Sequence, residues 1–467
     1  MSNEKKSDIC VIGAGIGGLT AGALLTKQGY KVKIFEKEPL IGGRALSLDT
    51  SSLTLENYKE ILSRFYMHVP FSEPDLETIF NNNMLNGYKL DLGYHAIGGG
   101  AVSHINSVLS EFDKHLEMLE SNTGFIKPNG FEIPFISKRD KIIMLPQILR
   151  LLFSSESTMR KLDDVSMTQT IEKYGKGKMK VTLEVFSRAV TTVNNLDRIS
   201  TGEMFRAQRN LVKGSKPVGY PKQGLHRFSQ TFVDIIKQNG GEIFLKNPVD
   251  KIIIDDYKAV GVVINDKQYF FKTIISNTLI QHLFTIADEK QFPSEYVRNI
   301  KALTGTGSLC AYYSLKNVDP NLLGKTFLFL ERDVGIDGND AVGMIDFMVA
   351  LPKSGLAPLS HHLVQSYIIC TPDEAKNKKT LETLKKLLDK NLENLMPDFR
   401  SQLRWAIYPA AWHLDGVAKT IDNKKPDTKT PVENLYIVGD CVKAPGIGIN
   451  CALSSARILC NILTSVT

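Results

Sequence analysis

Residues 9–36 restrict the possible folds more than any other stretch of the chain. The apolar run Ile9-Cys10-Val11-Ile12 is closed by Gly13-Ala14-Gly15-Ile16-Gly17-Gly18, and after it Leu19, Ala23, Leu24 and Leu25 recur at helical spacing. A second apolar run, Lys31 to Phe35, ends at Glu36 and Lys37, with Glu36 placed 23 residues beyond Gly13. Strand, tight turn, helix and strand in that order make a βαβ unit of the kind that binds a dinucleotide. Gly13 permits the turn, Gly15 and its neighbour Gly17 let a pyrophosphate approach bare backbone, and Gly18 with Gly22 lets the helix press on the sheet. The helix N-terminus then faces the phosphates. Glu36, at the tip of the second strand, is placed to accept hydrogen bonds from ribose hydroxyls, which disfavours a 2′-phosphate and hence NADP.

Two further segments point to FAD rather than NAD. Just after Glu36 come Gly42-Gly43-Arg44, where two glycines allow a close backbone and Arg44 brings a permanent cation toward a diphosphate. Near the other end of the chain, the apolar run Asn434 to Val438 leads into Gly439-Asp440. Pro445-Gly446-Ile447-Gly448-Ile449-Asn450 then opens a helix carrying Ala452, Leu453, Ala456 and Leu459. A long cofactor held from both chain ends suits FAD, with Asp440 available to ribityl hydroxyls and the last helix pointing its positive end at the flavin pyrimidine edge.

These segments together resemble the flavin-containing amine oxidase and phytoene desaturase superfamily, closest to its phytoene desaturase-like branch of carotenoid desaturases, isomerases and retinol saturase. Gly219 to Leu225 is similar to the family's glycine-proline segment before a helix. Gly240 to Ile243 and Asn247 to Ile252 are similar to its central strand pair. The resemblance implies that backbone at Val249 meets the adenine. It also implies that Asp91-Leu92-Gly93-Tyr94-His95 runs close to the flavin ring, which makes His95 the candidate catalytic group; a packing role for His95 is the other reading.

The fold class expected is α/β: a discontinuous Rossmann-like FAD-binding domain with an inserted α+β substrate domain, built on a mixed or antiparallel sheet with helices. The cofactor domain is assigned to residues 1–50, 218–286 and 424–467, the substrate domain to 51–217 and 287–423. Strands are expected at Leu309–Leu315, Thr326–Leu330, Gly343–Val349 and Leu363–Cys370, a hairpin around Asp255-Asp256, and an amphipathic helix at Thr380–Leu395. Residues between Arg44 and Gly87 read as an extra, partly helical insertion.

Composition excludes other classes. With 43% hydrophobic and 23% charged residues the chain is neither disordered nor low-complexity. Its +7 charge is scattered, without the basic runs or motifs of nucleic-acid binding. Six cysteines form no CxxC pair and no zinc spacing, so a reduced interior without metal is expected. No apolar run spans a bilayer, and Met1 to Ser7 lack a signal-peptide core, which suggests a cytoplasmic protein. Ile142 to Phe153 is nonetheless strongly apolar, and residues 138–161 carry six basic against two acidic side chains. The segment reads as an interfacial membrane helix or as a buried lid.

The expected function is an FAD-dependent oxidoreductase acting on a lipophilic isoprenoid or polyene, because a tunnel beside a flavin requires few diagnostic polar residues. Two alternatives stay open. One is an amine or protoporphyrinogen oxidase, for which Lys301 with Tyr312, Tyr313, Trp405, Tyr408 and Trp412 are the candidates for a flavin-side lysine and an aromatic pair. His413 and Asp415 are further polar candidates. The other is a flavin-binding protein without turnover.

Overall fold

The computed structural model describes residues 8–209 and 216–465. The lead-in Met1 to Ser7 lies outside the described residues. Strand β1 (Asp8–Ile12), helix α1 (Ile16–Lys27) and strand β2 (Lys31–Phe35) form the expected unit. They belong to a five-stranded parallel sheet whose order is Glu242–Phe244, β2, β1, Thr273–Ser276, Leu435–Ile437. Every strand of this sheet comes from one of the three segments in which the cofactor motifs occur. Helix α1 is buried all round because it is apolar all round. Gly22 makes this possible, since a Cβ there would stand 2.7 Å from Ile34 and 3.2 Å from Ile236 on the neighbouring helix His226–Gln238.

The second sheet has eight strands in the order Met67–Glu73, Leu403–Ala411, Gly307–Leu315, His362–Cys370, Ala341–Asp346, Thr326–Glu331, Thr123–Lys127 and Gly130–Glu132. All pairings are antiparallel except Thr326–Glu331 with Thr123–Lys127. Its two faces follow from the two-residue period of a strand. Leu328, Met344, Tyr367 and Cys310 are successive cross-strand partners on one face. Phe327, Ile345 and Ile368 join the core on the other, under the helix Lys378–Leu395, which presents Leu381, Leu384, Leu388 and Leu392.

The insertion before Gly87 is a helix (Leu55–Arg64), an edge strand of this sheet (Met67–Glu73) and a short helix (Leu76–Asn81). Its strand escaped the sequence reading because its residues are only half-buried and carry no clean alternation. Five described helices follow between Lys138 and Gln208, of which Lys178–Thr191 packs Val181, Val185, Phe186 and Ala189 on the open face of the large sheet. No described helix is long and apolar enough to cross a membrane. All six cysteines are buried and unpaired with one another.

Candidate cofactor and substrate site

The glycine turn between β1 and α1 is a backbone cradle with no space for side chains. A Cβ at Gly15 or Gly17 would stand 2.7 or 2.6 Å from the Asn277 side-chain amide, and one at Gly18 would stand 2.1 Å from the Gly13 carbonyl. Gly13 has φ +99°, which only glycine adopts without strain, and its N–H bonds the Phe35 carbonyl at 2.8 Å, tying the turn to the tip of β2. Glu36 follows directly. One of its carboxylate oxygens accepts from Ala14 N–H at 2.6 Å and the other from Glu38 N–H at 2.9 Å, which leaves lone pairs on both for a hydroxylated ligand. Burial raises the Glu36 carboxyl above the ordinary range, while those two N–H donors pull it down.

Gly42 bridges to Gly15 and donates its N–H to the Ala14 carbonyl at 2.9 Å, so the Gly42-Gly43-Arg44 segment lies across the turn. Arg44 then reaches the far end of the chain. It pairs with Asp440 at 2.6 Å and donates to the carbonyls of His413 and Leu414. Asp440 also accepts from Gly416 N–H at 2.8 Å. Burial alone would raise the Asp440 carboxyl, but Arg44 and that N–H hold it below its usual value. The helix Ile449–Thr464 starts at Gly448 beside this pair, and its first residues, Gly448, Ile449 and Asn450, line the same space, so the positive end of the helix faces it.

These groups wall one end of a cavity of about 990 Å³, at the upper limit for a small-molecule site. Gly13, Gly15, Gly17, Glu36, Lys37, Gly42, Gly43, Arg44, Val249, Gly439, Asp440, Gly448 and Ile449 all line it. Gly18 does not; it packs behind the turn, against the Gly13 carbonyl and Val11. Bare backbone and a helix N-terminus suit a diphosphate, the Glu36 carboxylate suits a ribose, and Arg44, expected to face the diphosphate, is engaged by Asp440 instead. The donor set fits FAD.

The cavity continues between the large sheet and the helical roof. Leu328, Met344 and Tyr367 form its floor, Phe135, Met179, Leu183, Phe186 and Val190 its roof. Tyr94 stacks on Tyr367 with ring centroids 4.5 Å apart and planes at 17°. Threonine hydroxyls in the roof are bonded within the protein: Thr170 to Thr201 at 2.7 Å, Thr182 to the Lys178 carbonyl at 2.9 Å, and Thr192 to the Thr191 carbonyl at 2.7 Å.

His95 lies where the two arms meet, beside Tyr94, Ala96 and Ile97 in the wall. Its Nδ1 is buried without a hydrogen-bond partner, 3.9 Å from Asp91 Oδ2. Burial lowers the imidazole to about 4, and Arg44 lowers it further against the pull of the Gly93 carbonyl and Asp415, so the ring is neutral near pH 7. Asp91 is shifted the other way. Burial lifts it to about 7 although Ser47 and Tyr220 hydrogen-bond it. Asp415 also lines the cavity, paired with the buried Lys419 and accepting from Thr192. His413 is not part of the wall. Its Nδ1 faces Gly305 and its ring stands edge-on to Tyr66.

The lysine and aromatic candidates for an oxidase lie elsewhere. Lys301 ends a surface helix and pairs with Glu289, away from this cavity, because the polar face of Ser294–Ala302 points outward. Tyr312, Tyr313, Trp405 and Tyr408 are fully buried in the large sheet, and their polar tips bond Asp91 and Gly93 carbonyls, Asp389 and the Met84 carbonyl. Trp412 packs beside His68 under Lys376. Aromatic pairs that do reach the cavity, Tyr94 with Tyr367 and Phe135 with Phe186, were missed. Tyr94 adjoins His95 in sequence, whereas Tyr367 carries no local signal.

A parallel dinucleotide sheet, a C-terminal helix aimed at the same cavity and an inserted antiparallel sheet define a flavin oxidoreductase fold. The chain belongs to the flavin containing amine oxidoreductase family, whose sequence profile matches residues 16–463, and FAD is its cofactor. A phytoene desaturase of Fusarium fujikuroi is 26% identical over 339 residues, 69% of this chain and 57% of that protein. The chain thus spans little more than half the length of that relative. A 4,4'-diapolycopen-4-al dehydrogenase of Metabacillus indicus is 21% identical over 98% of this chain and 97% of its own. An oxidoreductase from Methanosarcina mazei of known crystal structure shares the fold, with a TM-score of 0.71 at 21% identity over 97% of this chain and 99% of that one.

Proposed function

We propose that the protein is an FAD-dependent desaturase, saturase or isomerase that acts on a long apolar isoprenoid or polyene. The observation that carries this reading is the second arm of the cavity, whose walls are mostly aliphatic and aromatic and whose roof threonines Thr170, Thr182 and Thr192 are already bonded to protein. An apolar chain fits such a wall at no desolvation cost, while a polyamine would lose its hydration among described residues of which the nearest carboxylate, Asp415, is already paired with Lys419. Tyr94 and Tyr367 support the same choice. Rings stacked 4.5 Å apart leave no slot between them for an ammonium group. The activities for which the Fusarium and Metabacillus relatives are named agree with a substrate of this class.

Bound at the glycine cradle, FAD supplies the two-electron acceptor or donor. The chain's own part is to orient the substrate and exclude water. No side chain needs to act as a nucleophile, and His95, neutral at working pH, orients the substrate or adjusts the flavin's surroundings. We also read the helix Lys138–Phe153 as a membrane contact. Ile142, Ile143, Leu149 and Phe153 are exposed on it, and Leu145 is exposed and lines the cavity as well, which offers a lipophilic substrate a route from a bilayer. Mass spectrometry of small molecules extracted with the purified protein tests this reading. Recovery of isoprenoids or polyenes supports it, and recovery of amines or tetrapyrroles alone overturns it.

A further inference from the structure

Tyr66 is held in a backbone conformation that suits glycine. It follows the helix Leu55–Arg64 and its cap Phe65, at the position where helices end in a left-handed residue, and its φ is +62°. Glycine or asparagine is the usual occupant there, and an aromatic residue in this region is strained. The surroundings hold the strain in place. Tyr66 N–H bonds the Ser63 carbonyl and the Tyr66 carbonyl accepts from Trp412 N–H, each at 3.1 Å.

The side chain crosses to the other half of the molecule. Its hydroxyl meets His282 Nε2 at 3.0 Å, and its ring stands edge-on to His413 with centroids 4.8 Å apart. Tyr66 comes from the insertion, His282 from the short helix Ile280–His282 that follows a strand of the parallel sheet. Both residues line the cavity, and both are half-buried, so each stands between its interior and solvent. Arg64, Pro248, Val249, Thr285 and Ile286 share this stretch of wall with Glu36 and Lys37. It is the nucleotide end.

We infer that the Tyr66–His282 contact is a clasp across the nucleotide arm that slows the escape of bound FAD. The inference rests on FAD as the cofactor and names two residues outside the glycine-turn and C-terminal motifs. It accounts for a tyrosine kept where glycine would relax the backbone.

The test is the rate at which FAD leaves the purified holoprotein, followed by the flavin absorbance retained on the protein after mixing with charcoal that adsorbs released FAD, together with the melting temperature of the flavin-free protein. Tyr66→Gly relieves the backbone and removes the clasp, so FAD should leave about ten-fold faster or more, while the flavin-free protein melts no lower than wild type. Tyr66→Phe keeps the ring and loses the hydroxyl, and should speed release about five-fold, the value of one hydrogen bond. Adding His282→Ala to Tyr66→Phe should bring little further change, because both remove the same contact. A residue that merely packs would give the opposite pattern, with a lower melting temperature in Tyr66→Gly and release rates within two-fold of wild type in every variant. That result overturns the clasp while leaving FAD as the cofactor. A wild-type protein that retains no FAD overturns both.

Discussion

Arg44 and Asp440, 396 residues apart in the chain, meet at 2.6 Å in the wall of the cavity. The pair closes the cofactor end by joining the segment after β2 to the turn before the C-terminal helix. Asp440 is almost entirely buried and Arg44 about two-thirds so. Removing one partner leaves the other desolvated and unpaired.

Asp440→Asn should therefore destabilise the protein by about 2 kcal/mol, less than for a fully buried pair because Arg44 keeps its two carbonyl acceptors and some water. Its folded-state carboxyl lies below the usual value, so the stabilisation it brings is present above about pH 4 and lost only as pH falls below that. Urea unfolding of wild type and variant at pH 7 and pH 5 should give the same difference at both. A difference that shrinks between pH 7 and 5 would contradict the pairing.

Glu36→Ala should weaken FAD binding by about 1 to 3 kcal/mol, since it removes both the ribose acceptor and the partner of Ala14 and Glu38 N–H groups. Fluorescence titration of the flavin-free protein measures it. Unchanged affinity would place the ribose elsewhere.

Asp91 gives a pH dependence of the opposite sign to Asp440. Its folded carboxyl is raised to about 7 from an ordinary value near 4, so the folded state holds the extra proton between these limits. Stability from this group is present at low pH and declines as pH rises from about 4 to 7. Asp91→Asn removes the effect, so the advantage of wild type over the variant should grow as pH is lowered from 7 to 4. A constant advantage would mean that Asp91 is ionised throughout. His95→Ala, by contrast, should slow turnover while the protein stays yellow, and loss of FAD from that variant would make His95 a cofactor residue instead.

The exposed face of the helix Lys138–Phe153 predicts flotation with anionic liposomes, each nearby basic residue adding about 1 kcal/mol of attraction. Ile142→Ser with Leu149→Ser should abolish flotation in a folded protein. Undiminished flotation would mean that this helix is not what holds the protein to a membrane.

The cofactor end was legible in sequence because its chemistry is carried by backbone: a turn that admits only glycine leaves glycine at Gly13, Gly15, Gly17 and Gly18, and the strands beside it are short apolar runs. Asp440 could be located in the same way, from Gly439 and the helix after it. Its partner could not be assigned, since the Arg44 side chain turns to Asp440 rather than lying free toward the diphosphate. The edge strand Met67–Glu73 was hidden because a half-buried strand lacks alternation. Arg206 was hidden for a different reason. It is buried among Glu156, Asp163 and Glu203, and no local pattern marks an arginine whose partners are gathered by tertiary structure. Lys301 drew attention by its place in the chain and proved to be a surface residue paired with Glu289.

Reaction of an apolar polyene or isoprenoid beside FAD is read out by anaerobic stopped-flow absorbance at the oxidised flavin band. Oxidised holoprotein is mixed in parallel with saturated or partly saturated isoprenoids, polyamines, benzylamine and amino acids, and photoreduced holoprotein with conjugated polyenes. A flavin absorbance change is expected with an isoprenoid or a polyene and none with any amine. Rapid bleaching by an amine, with no response to isoprenoids or polyenes in either direction, would contradict it.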